Sequence, residues 1–535
     1  MFSTTLLIAA AIIMICVAGN KIFNKIGIPV LLVFIGLGML FGSDGIMKIP
    51  FEDYGFAEKI CNVALIFIMF YGGFGTNMKE ARPVAAKAIL LSSAGVILTA
   101  ALTTVFCFFV LRMNLMESML IGSVLSSTDA ASVFSVLRSK NLNLKYNTAS
   151  MLEMESGSND PFSYMLTIIV LSMMHGEMGA GRIIYTVVTE LSFALIFGAL
   201  VAYGALWIMR RFHFHYTGHD TVFVLGVAIA AYALPAAVGG NGYLGVYIVG
   251  LILGNSDIGN KKMLVHFFDG VTSFMEMLIF FLLGLLSFPT KIWQVALPSM
   301  LIALFLTFIA RPVAVGAVLA PFKTKLSQYA VVSWAGLRGA ASIVFTIEVV
   351  LSGNLLENDI FHIAFCVVLF SIMIQGTLLP FVARKTNMID KTGNVLKTFN
   401  DYSDETEINF IRLNIKSGNA WIDMAIKDIH LPPQMLFAVV MRRNETIIPN
   451  GETVINEGDT VILGAPSQGG CDEVHFREVS ADDRKHWCGK TMAEINFPSG
   501  YLVIMIKRGD DVVIPVGSTV IEKEDKLVMI AKNKR

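Results

Sequence analysis

Residues 1–385 consist of long apolar runs separated by short polar loops. A helix needs about 20 mostly apolar residues to cross the hydrocarbon core of a membrane. With 55% hydrophobic and only 15% charged residues, the chain is too apolar for a soluble protein. The sequence therefore predicts a polytopic α-helical membrane protein surrounded by membrane lipid. Thirteen candidate spans lie at roughly 4–20, 27–42, 60–77, 84–111, 117–137, 150–174, 183–209, 220–238, 243–254, 265–288, 293–320, 328–351 and 360–383.

The basic residues of the loops predict which side of the membrane each loop occupies. If alternate loops face the cytoplasm, beginning after the first span, those loops contain sixteen Lys and Arg residues and the opposite loops contain five. Cytoplasmic loops are enriched in Lys and Arg. We therefore expect a multi-pass protein of the inner or plasma membrane, with its N-terminus outside and its C-terminal tail in the cytoplasm. The formal net charge of zero gives no indication of a nucleic-acid partner.

The polar tail, residues 386–535, repeats itself. Residues 431–465 align without gaps with residues 497–531, an offset of 66 positions. Repetition at a fixed offset indicates two copies of one small unit, and the short β-branched runs indicate strands. The coinciding pairs include Leu436 and Leu502, Arg442 and Arg508, Gly451 and Gly517, and Asp459 and Asp525.

The change from apolar runs to this repeat predicts the domain organisation. We expect a transmembrane domain over 1–385 and a linker over 386–408. Two α+β lobes should follow, over 409–470 and 471–535, as a cytoplasmic regulatory tail.

Several charged residues lie deep inside the predicted spans. Each costs about 2.5–3.5 kcal/mol to insert on translocon scales, so each is a candidate functional residue. Six of the eight are acids, which favours a path for cations over a path for anions. They are Asp129, Glu155, Asp160, Glu190, Glu276, Arg311, Arg338 and Glu348.

The most informative stretch is 155–161, ESGSNDP. On a helix, Ser156 and Asp160 are four positions apart and share one face. Pro161 has no backbone N–H, so the carbonyl of Gly157 loses its helical partner. Oxygen ligands of these kinds suit a hard monovalent cation. A carboxylate that holds either a proton or a cation, but not both, couples the movement of the two.

Two further polar stretches lie seven spans apart, at 126–132 (SSTDAAS) and 335–342 (AGLRGAAS). Small and hydroxylated residues weaken a continuous helix. Transporters with inverted repeats often carry discontinuous helices at corresponding positions and bind ions where these helices meet. We expect the two breaks to meet near Asp129, with Arg338 able to neutralise Glu155.

These motifs resemble the monovalent cation:proton antiporter superfamily, in its NhaP-like branch. The resemblance rests on Thr128–Asp129, on E-S-x-x-N-D-P and on G-L-R-G-A, and it covers about residues 1–385. It implies crossed broken helices, a mobile six-helix core and a homodimer. It also implies Asp160 as the exchanging carboxylate, Ser156 and the Thr128 carbonyl as cation ligands, and a structural Glu155–Arg338 ion pair.

Asn159 stands where electrogenic relatives carry a second aspartate. With Glu155 paired to an arginine, one available carboxylate permits one proton or one cation per cycle. We therefore expect secondary active, electroneutral antiport that serves pH homeostasis, with Asp129 and Asn159 among the ion- and proton-binding residues. Potassium is the favoured cation. Exchange of Na⁺ or Li⁺ is the alternative, and a ligand-gated cation channel is a weaker one because the chain lacks a T-V-G-Y-G filter.

The tail resembles the C-terminal lobe of regulators of potassium conductance (RCK C, or TrkA-C), twice over. In potassium-handling proteins such lobes bind small ligands and gate transport, so the resemblance favours potassium as the cation. The tail lacks G-x-G-x-x-G, so NAD is not expected, and Arg484 interrupts the phosphate-loop pattern before Gly489. Cyclic di-AMP is a candidate ligand. We expect no cofactor and no enzyme activity.

Other polar residues give weaker indications. Glu190, Glu276 and Glu348 could each be a packing partner or lie near an aqueous vestibule, and Arg311 could neutralise one of them. His213, His215 and His219 could sense pH, although a solvated loop is the more frequent role of such a cluster.

Overall fold

The structure is a computed structural model of the chain. It describes residues 7, 10–17, 30–140, 142–176, 179–211, 217–258, 260–353, 356–390, 408–432, 435–442, 445–466, 474–481, 487–495, 501–508, 511–513, 515–523 and 525–532. The chain divides into two compact units, Met1–Asp404 and Glu405–Arg535. The first unit is helical and the second contains two small β-sheets.

The described part of the first unit is built from helices that follow the predicted spans. The first half contains α1 (Val30–Phe41), α2 (Tyr54–Gly75), α3 (Met78–Phe109), α4 (Leu115–Val124), α5 (Ala130–Ser139), α6 (Thr148–Met174) and α7 (Ala180–Arg211). The second half contains α8 (Thr217–Ala237), α9 (Gly242–Gly254), α10 (Lys261–Leu286), α11 (Pro289–Phe322), α12 (Leu326–Trp334), α13 (Ala340–Leu351) and α14 (Ile360–Lys385).

Within the described residues, seven of these helices are long and apolar enough to cross a membrane: α2, α3, α7, α8, α10, α11 and α14. Four shorter apolar helices, α1, α4, α9 and α13, add to them. Each predicted span from the second onward coincides with a helical segment. Most of the first predicted span lies outside the described residues, and the total of thirteen stays a prediction.

Polar residues at the loop ends fix where several helices begin. The Asp53 carboxylate accepts a hydrogen bond from the Phe56 N–H at 2.8 Å. Asn114 and Asn241 make equivalent bonds to Met116 (3.0 Å) and Leu244 (3.0 Å). Such N-caps satisfy backbone donors that lack an intrahelical partner. The polar residues between the apolar runs therefore act as helix start signals.

The helices pack in two groups. Bundle A contains α1, α2 and α7–α10, and bundle B contains α3–α6 and α11–α14. In bundle A, α2 and α9 approach very closely. A Cβ atom on Gly250 would overlap the Phe70 carbonyl, and one on Gly254 would overlap the Phe74 carbonyl. Small residues at membrane helix contacts permit this close backbone approach.

The second unit confirms the internal repeat. One sheet has the order β1 (Ile408–Asn414), β4 (Thr460–Pro466), β2 (Leu436–Arg442), β3 (Glu445–Ile447). The other has the same order in β5 (Val474–Ser480), β8 (Lys526–Lys532), β6 (Tyr501–Arg508), β7 (Asp511–Val513). All described pairings are antiparallel. Equivalent strands lie 66 positions apart, except that β6 begins one residue earlier.

Each lobe contains the same ion pair between an arginine and a buried aspartate. Arg442 donates from Nε and Nη2 to the two oxygens of Asp459, at 2.9 and 2.8 Å. Arg508 makes the same two bonds to Asp525, at 2.9 and 2.8 Å. The hydrogen bonds from Arg442 lower the pKa of the Asp459 carboxyl below its ordinary value of 3.8. The arginine and aspartate that recur in the sequence therefore form one repeated structural contact.

Candidate functional site

Two spans of bundle B are interrupted in their middle. Helix α4 ends at Val124 and α5 begins at Ala130, while α12 ends at Trp334 and α13 begins at Ala340. The non-helical segments meet, and the Asp129 N–H donates to the Leu337 carbonyl at 2.8 Å. The structure confirms the crossed broken helices expected from the polar stretches at 126–132 and 335–342.

Charged side chains compensate the helix ends at this crossing. Arg338 donates from Nη1 to the carbonyl oxygens of Ser126 (2.9 Å) and Ser127 (2.6 Å), just beyond the end of α4. Asp129 precedes α5 and accepts from the Ser132 N–H at 3.3 Å and from its hydroxyl at 2.5 Å. A base at a helix C-terminus and an acid at an N-terminus are both favourable. Arg338 and Asp129 thus stabilise the crossing itself.

Gly339 lets the beginning of α13 approach Asp129. A Cβ atom at this position would overlap the Asp129 side chain. The absence of a side chain is therefore a requirement of the crossing. This explains one of the two glycines that flank Arg338 in the sequence.

Helix α6 runs past the crossing and contacts Thr128 twice. The Ser156 hydroxyl donates to the Thr128 carbonyl at 2.7 Å. The Asn159 amide donates to the Thr128 hydroxyl at 2.6 Å. The structure therefore brings together three predicted site residues, and it gives Asn159 a defined role in holding Thr128.

Asp160 lies on the wall of a small cavity beside the crossing. Its Oδ1 atom is buried and has no hydrogen-bond partner among the described residues, while Ser127 hydrogen-bonds to the carboxylate. Bundle B supplies a mostly polar wall and bundle A an apolar wall with one acid. The lining consists of Leu31, Leu65, Ile68, Ser127, Thr128, Asp129, Asp160, Glu276, Phe280, Gly339, Ala340 and Ala341.

The donor set in and beside this cavity consists of oxygen atoms. Carboxylate, hydroxyl and carbonyl oxygens are the ligands that hard cations prefer. The unpartnered oxygen of Asp160 could bind either a proton or a cation. Ser156 and Asn159 lie beside the cavity through their contacts with Thr128 and do not line it.

The sequence predicts Arg338 as the ion-pair partner of Glu155, whereas the close contact in the structure is with Arg311. Arg311 Nη1 lies 2.6 Å from Glu155 Oε1, and the two side chains are 3% and 0% exposed. Arg338 is occupied by the carbonyls of Ser126 and Ser127. Arg311 directly follows a π-helical turn in α11, Leu306–Ala310, and a Cβ atom on Gly336 would lie 2.8 Å from Arg311 Nε. The missing side chain at Gly336 therefore makes room for Arg311.

A model of the sodium/hydrogen exchanger transmembrane family matches residues 8–385. The chain belongs to this family. TrkA-C domain models match residues 410–469 and 476–535. The exchanger family is a family of transporters and not of enzymes, and this exchanger is a multi-pass membrane protein with a TrkA-C tail.

Curated relatives share most of the exchanger's length. A protein named K(+)/H(+) antiporter NhaP, from Alkalimonas amylolytica, is 32% identical over 451 residues, covering 83% of this chain and 78% of the relative. A K(+)/H(+) antiporter NhaP2 from Shewanella sp. (strain MR-4) is 32% identical over 454 residues with the same coverage.

A solved structure shows the same fold. The sodium proton antiporter MjNhaP1 from Methanocaldococcus jannaschii superposes with a TM-score of 0.61 at 23% identity. The match covers 70% of this chain and 99% of that chain. The solved structure confirms the predicted helical fold. The family models and the relatives confirm the predicted resemblance to NhaP-like antiporters with two TrkA-C lobes.

The structure also places the residues with weaker indications. Glu276 lines the cavity of Asp160. The Glu190 carboxylate accepts a hydrogen bond from Asn241 at 3.3 Å, and Asn241 also donates to the Pro161 carbonyl at 3.0 Å. Glu348 lies in the last turn of α13. His213 and His215 lie outside the described residues.

Sequence reasoning missed Glu153, a further acid on α6 that is only 5% exposed. It lies seven positions before Asp160, which places the two acids on nearly the same helix face. Extending the ESGSNDP stretch by two residues toward the N-terminus could have found it. Tyr247 packs against Gly157. No local sequence pattern predicts this contact, because the two residues come together only in the packed structure.

Proposed function

We propose that this exchanger moves K⁺ against H⁺ across the cell membrane, with Asp160 as the carboxylate that carries either ion. The observation that carries the proposal is the buried Asp160 oxygen, which lies in a cavity at the helix crossing and has no hydrogen-bond partner in the described part of the chain. A buried polar atom of this kind is costly unless something else satisfies it. A cation or a proton would do so alternately.

The neighbouring residues act as partners of the bound cation. Ser156 and the Thr128 carbonyl already contact one another at 2.7 Å, so a small shift would turn both oxygens toward a cation at Asp160. Asn159 holds Thr128 in place. Asp129 lines the cavity while it caps α5 and contributes negative potential.

Electroneutral exchange follows from the pairing of the other acid. Glu155 is neutralised by Arg311 in a fully buried ion pair and is not available for exchange. Position 159 carries an amide instead of a second carboxylate. Asp129 caps α5, and we take Asp160 as the one carboxylate that exchanges its proton. One proton then moves per monovalent cation, and no net charge moves.

Potassium is the proposed cation because the relatives at 32% identity are named K(+)/H(+) antiporters and because the tail contains two TrkA-C domains. Sodium, with lithium, is the alternative. A relative from Aphanothece halophytica at 24% identity is named a Na(+)/H(+) antiporter.

The test is transport by the purified full-length protein in liposomes that contain a pH dye. Pulses of K⁺, Na⁺ and Li⁺ should each be compared at several membrane potentials, set by gradients of a permeant anion so that no other K⁺ pathway is present. We expect K⁺ to move protons at the lowest concentration and the rate to be independent of potential. A voltage-dependent rate would contradict electroneutrality, and a preference for Na⁺ would select the alternative cation.

The orientation, assembly and domain limits belong to the same proposal. The excess of basic residues in alternate loops supports an N-terminus outside and a tail in the cytoplasm. We propose a homodimer in which bundle B moves as the six-span core and the exchange serves pH homeostasis. The domain limits at 1–385, 386–408, 409–470 and 471–535 stay a prediction.

The tail is proposed to regulate exchange by binding a small ligand. Cyclic di-AMP is the candidate nucleotide, and the two equivalent lobes offer it related surfaces. Deletion of residues 400–535 should change the rate or pH dependence and leave exchange measurable. Loss of all exchange in a folded, truncated protein would contradict a purely regulatory tail.

A further inference from the structure

Helix α6 carries a second buried acid in line with Asp160. Glu153 precedes Asp160 by seven residues, which is close to two helical turns, so the two side chains leave α6 within about 20° of one another. The rise along the helix separates them by about 10 Å. Glu153 is 5% exposed. A polar stripe on one helix face therefore leads from Glu153 past Ser156 to Asp160.

Tyr247 crosses this stripe between the two acids. A Cβ atom on Gly157 would overlap the Tyr247 ring, so the ring lies directly against α6 at the level between Glu153 and Asp160. Tyr247 belongs to α9 of bundle A and is 4% exposed. The contact thus joins the two bundles, and a sliding movement of bundle B would carry Gly157 away from the ring.

Glu153 lies near the N-terminal end of α6. It follows the beginning of α6 at Thr148 by five residues, and the Tyr247 hydroxyl has Glu153 and Thr76 as electrostatic neighbours. Thr76 ends α2, and Asn255 at the end of α9 donates to its carbonyl at 2.9 Å. These helix ends adjoin the loops rich in Lys and Arg, which mark the cytoplasmic side in the orientation proposed above.

An acid at this position has a physical consequence for cations. A carboxylate beside the entrance of a cation path raises the local concentration of cations and their rate of arrival. A carboxylate inside a membrane is also costly to retain without a role. The alternative is that Glu153 makes only a structural contact with its neighbours. Replacing it with glutamine would change the KM for K⁺ in the first case and the stability or turnover of the protein in the second.

We propose that Glu153 is the cytoplasmic vestibule carboxylate of this exchanger, where K⁺ stops before it reaches Asp160, and that the Tyr247 ring separates the two positions. The inference rests on the proposed function for the identity of the ion. It adds a residue that determines access from one side and does not take part in the exchange step at Asp160.

The transport test uses Glu153→Gln, which keeps the size of the side chain and removes its charge. In inside-out vesicles the KM for K⁺ should rise about tenfold, and in right-side-out vesicles it should stay unchanged. Turnover at saturating K⁺ should stay within about twofold, since Asp160 is intact. Glu153→Asp should restore the low KM, and Glu348→Gln is the matched control that should leave the KM in inside-out vesicles unchanged.

An equal rise of KM from both faces, or a loss of turnover at saturating K⁺, would show a structural role and overturn the proposal. An unchanged KM in both preparations would overturn it as well. If the wild-type protein exchanges no cation at all, the proposed function fails instead, and the vestibule is then decided by chemical labelling.

Labelling tests access without transport. A membrane-impermeant cationic thiol reagent, added in turn to each face of vesicles that contain the full-length protein, should modify Glu153→Cys from the cytoplasmic face only. Asp160→Cys should resist the reagent from that face until Tyr247→Ala is added. Resistance of Glu153→Cys, or labelling of Asp160→Cys with Tyr247 in place, would contradict the vestibule and the aromatic barrier respectively.

Discussion

The tail lobes and the helix crossing both bury carboxylates, but they satisfy them differently. Asp459 and Asp525 each accept two hydrogen bonds from an arginine and one from a backbone N–H. Asp160 is left with a buried oxygen that has no partner among the described residues. A carboxylate paired with an arginine stabilises the fold, whereas a carboxylate beside a cavity with an oxygen left without a partner is suited to a substrate.

Glu155 shows that structural carboxylates are not confined to the tail and also occur in the helical unit. It lies five residues from Asp160 on the same helix, yet it forms an ion pair with Arg311 at 2.6 Å. The two acids of the ESGSNDP stretch therefore belong to different classes.

Arg311→Met should have the largest effect on stability. It leaves the Glu155 charge buried at 0% exposure without its partner, and removing one member of a buried pair costs about 3–5 kcal/mol. We expect the variant to lose most of its folded yield in detergent, measured by size-exclusion chromatography. The double variant Arg311→Met with Glu155→Gln should recover folded protein. If Arg311→Met alone is as stable as the wild type, the ion pair of Glu155 does not stabilise the fold.

Arg442→Met should destabilise the first lobe by about 2–3 kcal/mol, because Asp459 stays buried while its arginine, which is 33% exposed, is replaced. Hydrogen exchange of the full-length protein should lose protection in β2 and β4 only. Arg508→Met is the matched control and should affect β6 and β8 instead.

The pH dependence of this lobe has a defined sign. The pKa of Asp459 is lowered in the folded state because Arg442 hydrogen-bonds to it. Its contribution to stability is therefore complete above the ordinary pKa of 3.8 and is lost as the pH falls through the folded pKa. Wild type and Arg442→Met should converge at low pH. A difference that grows on acidification would contradict this pairing.

Gly339→Ala should lower the stability of the folded helix crossing by about 1–3 kcal/mol, the usual cost of overpacking. The added Cβ atom would meet the Asp129 side chain. We expect slower exchange at every cation concentration in liposomes, with the lobes unaffected. Gly226→Ala is the control, since a Cβ there meets no atom within 4 Å. Equal exchange rates in the two variants would contradict a role of the contact between Gly339 and Asp129 in exchange.

Ser156→Ala should have the smallest effect. It removes one hydroxyl that bonds to the Thr128 carbonyl, and a hydrogen bond of this kind contributes about 1 kcal/mol. If Ser156 binds the cation, the KM for K⁺ should rise about fivefold with little change in turnover. A change confined to folded yield would assign Ser156 to the structural class.

Much of the fold could be predicted from the sequence because local patterns determine it. The offset of 66 residues predicts which strands are equivalent, and the observed strands follow it apart from the start of β6 at Tyr501. The polar stretches predict both helix breaks, since hydroxylated and small residues weaken a helix wherever they occur in a span.

The partners of the charged residues could not be predicted in the same way. Helix periodicity shows which residues share a face of α6, but not which arginine of another helix reaches Glu155. The π-helical turn before Arg311 and the non-helical segment that contains Arg338 determine the answer, and both depend on the packed structure. Tyr247 was not found for the same reason.

The most direct test of the division compares Asp160→Asn with Asp459→Asn in liposomes that contain a pH dye. After a pulse of K⁺, we expect proton movement to be absent in Asp160→Asn and to persist in Asp459→Asn, with both proteins folded and incorporated to the same extent. Proton movement that survives in Asp160→Asn would contradict the central claim and move the exchanging carboxylate elsewhere, with Asp129 as the next residue to test.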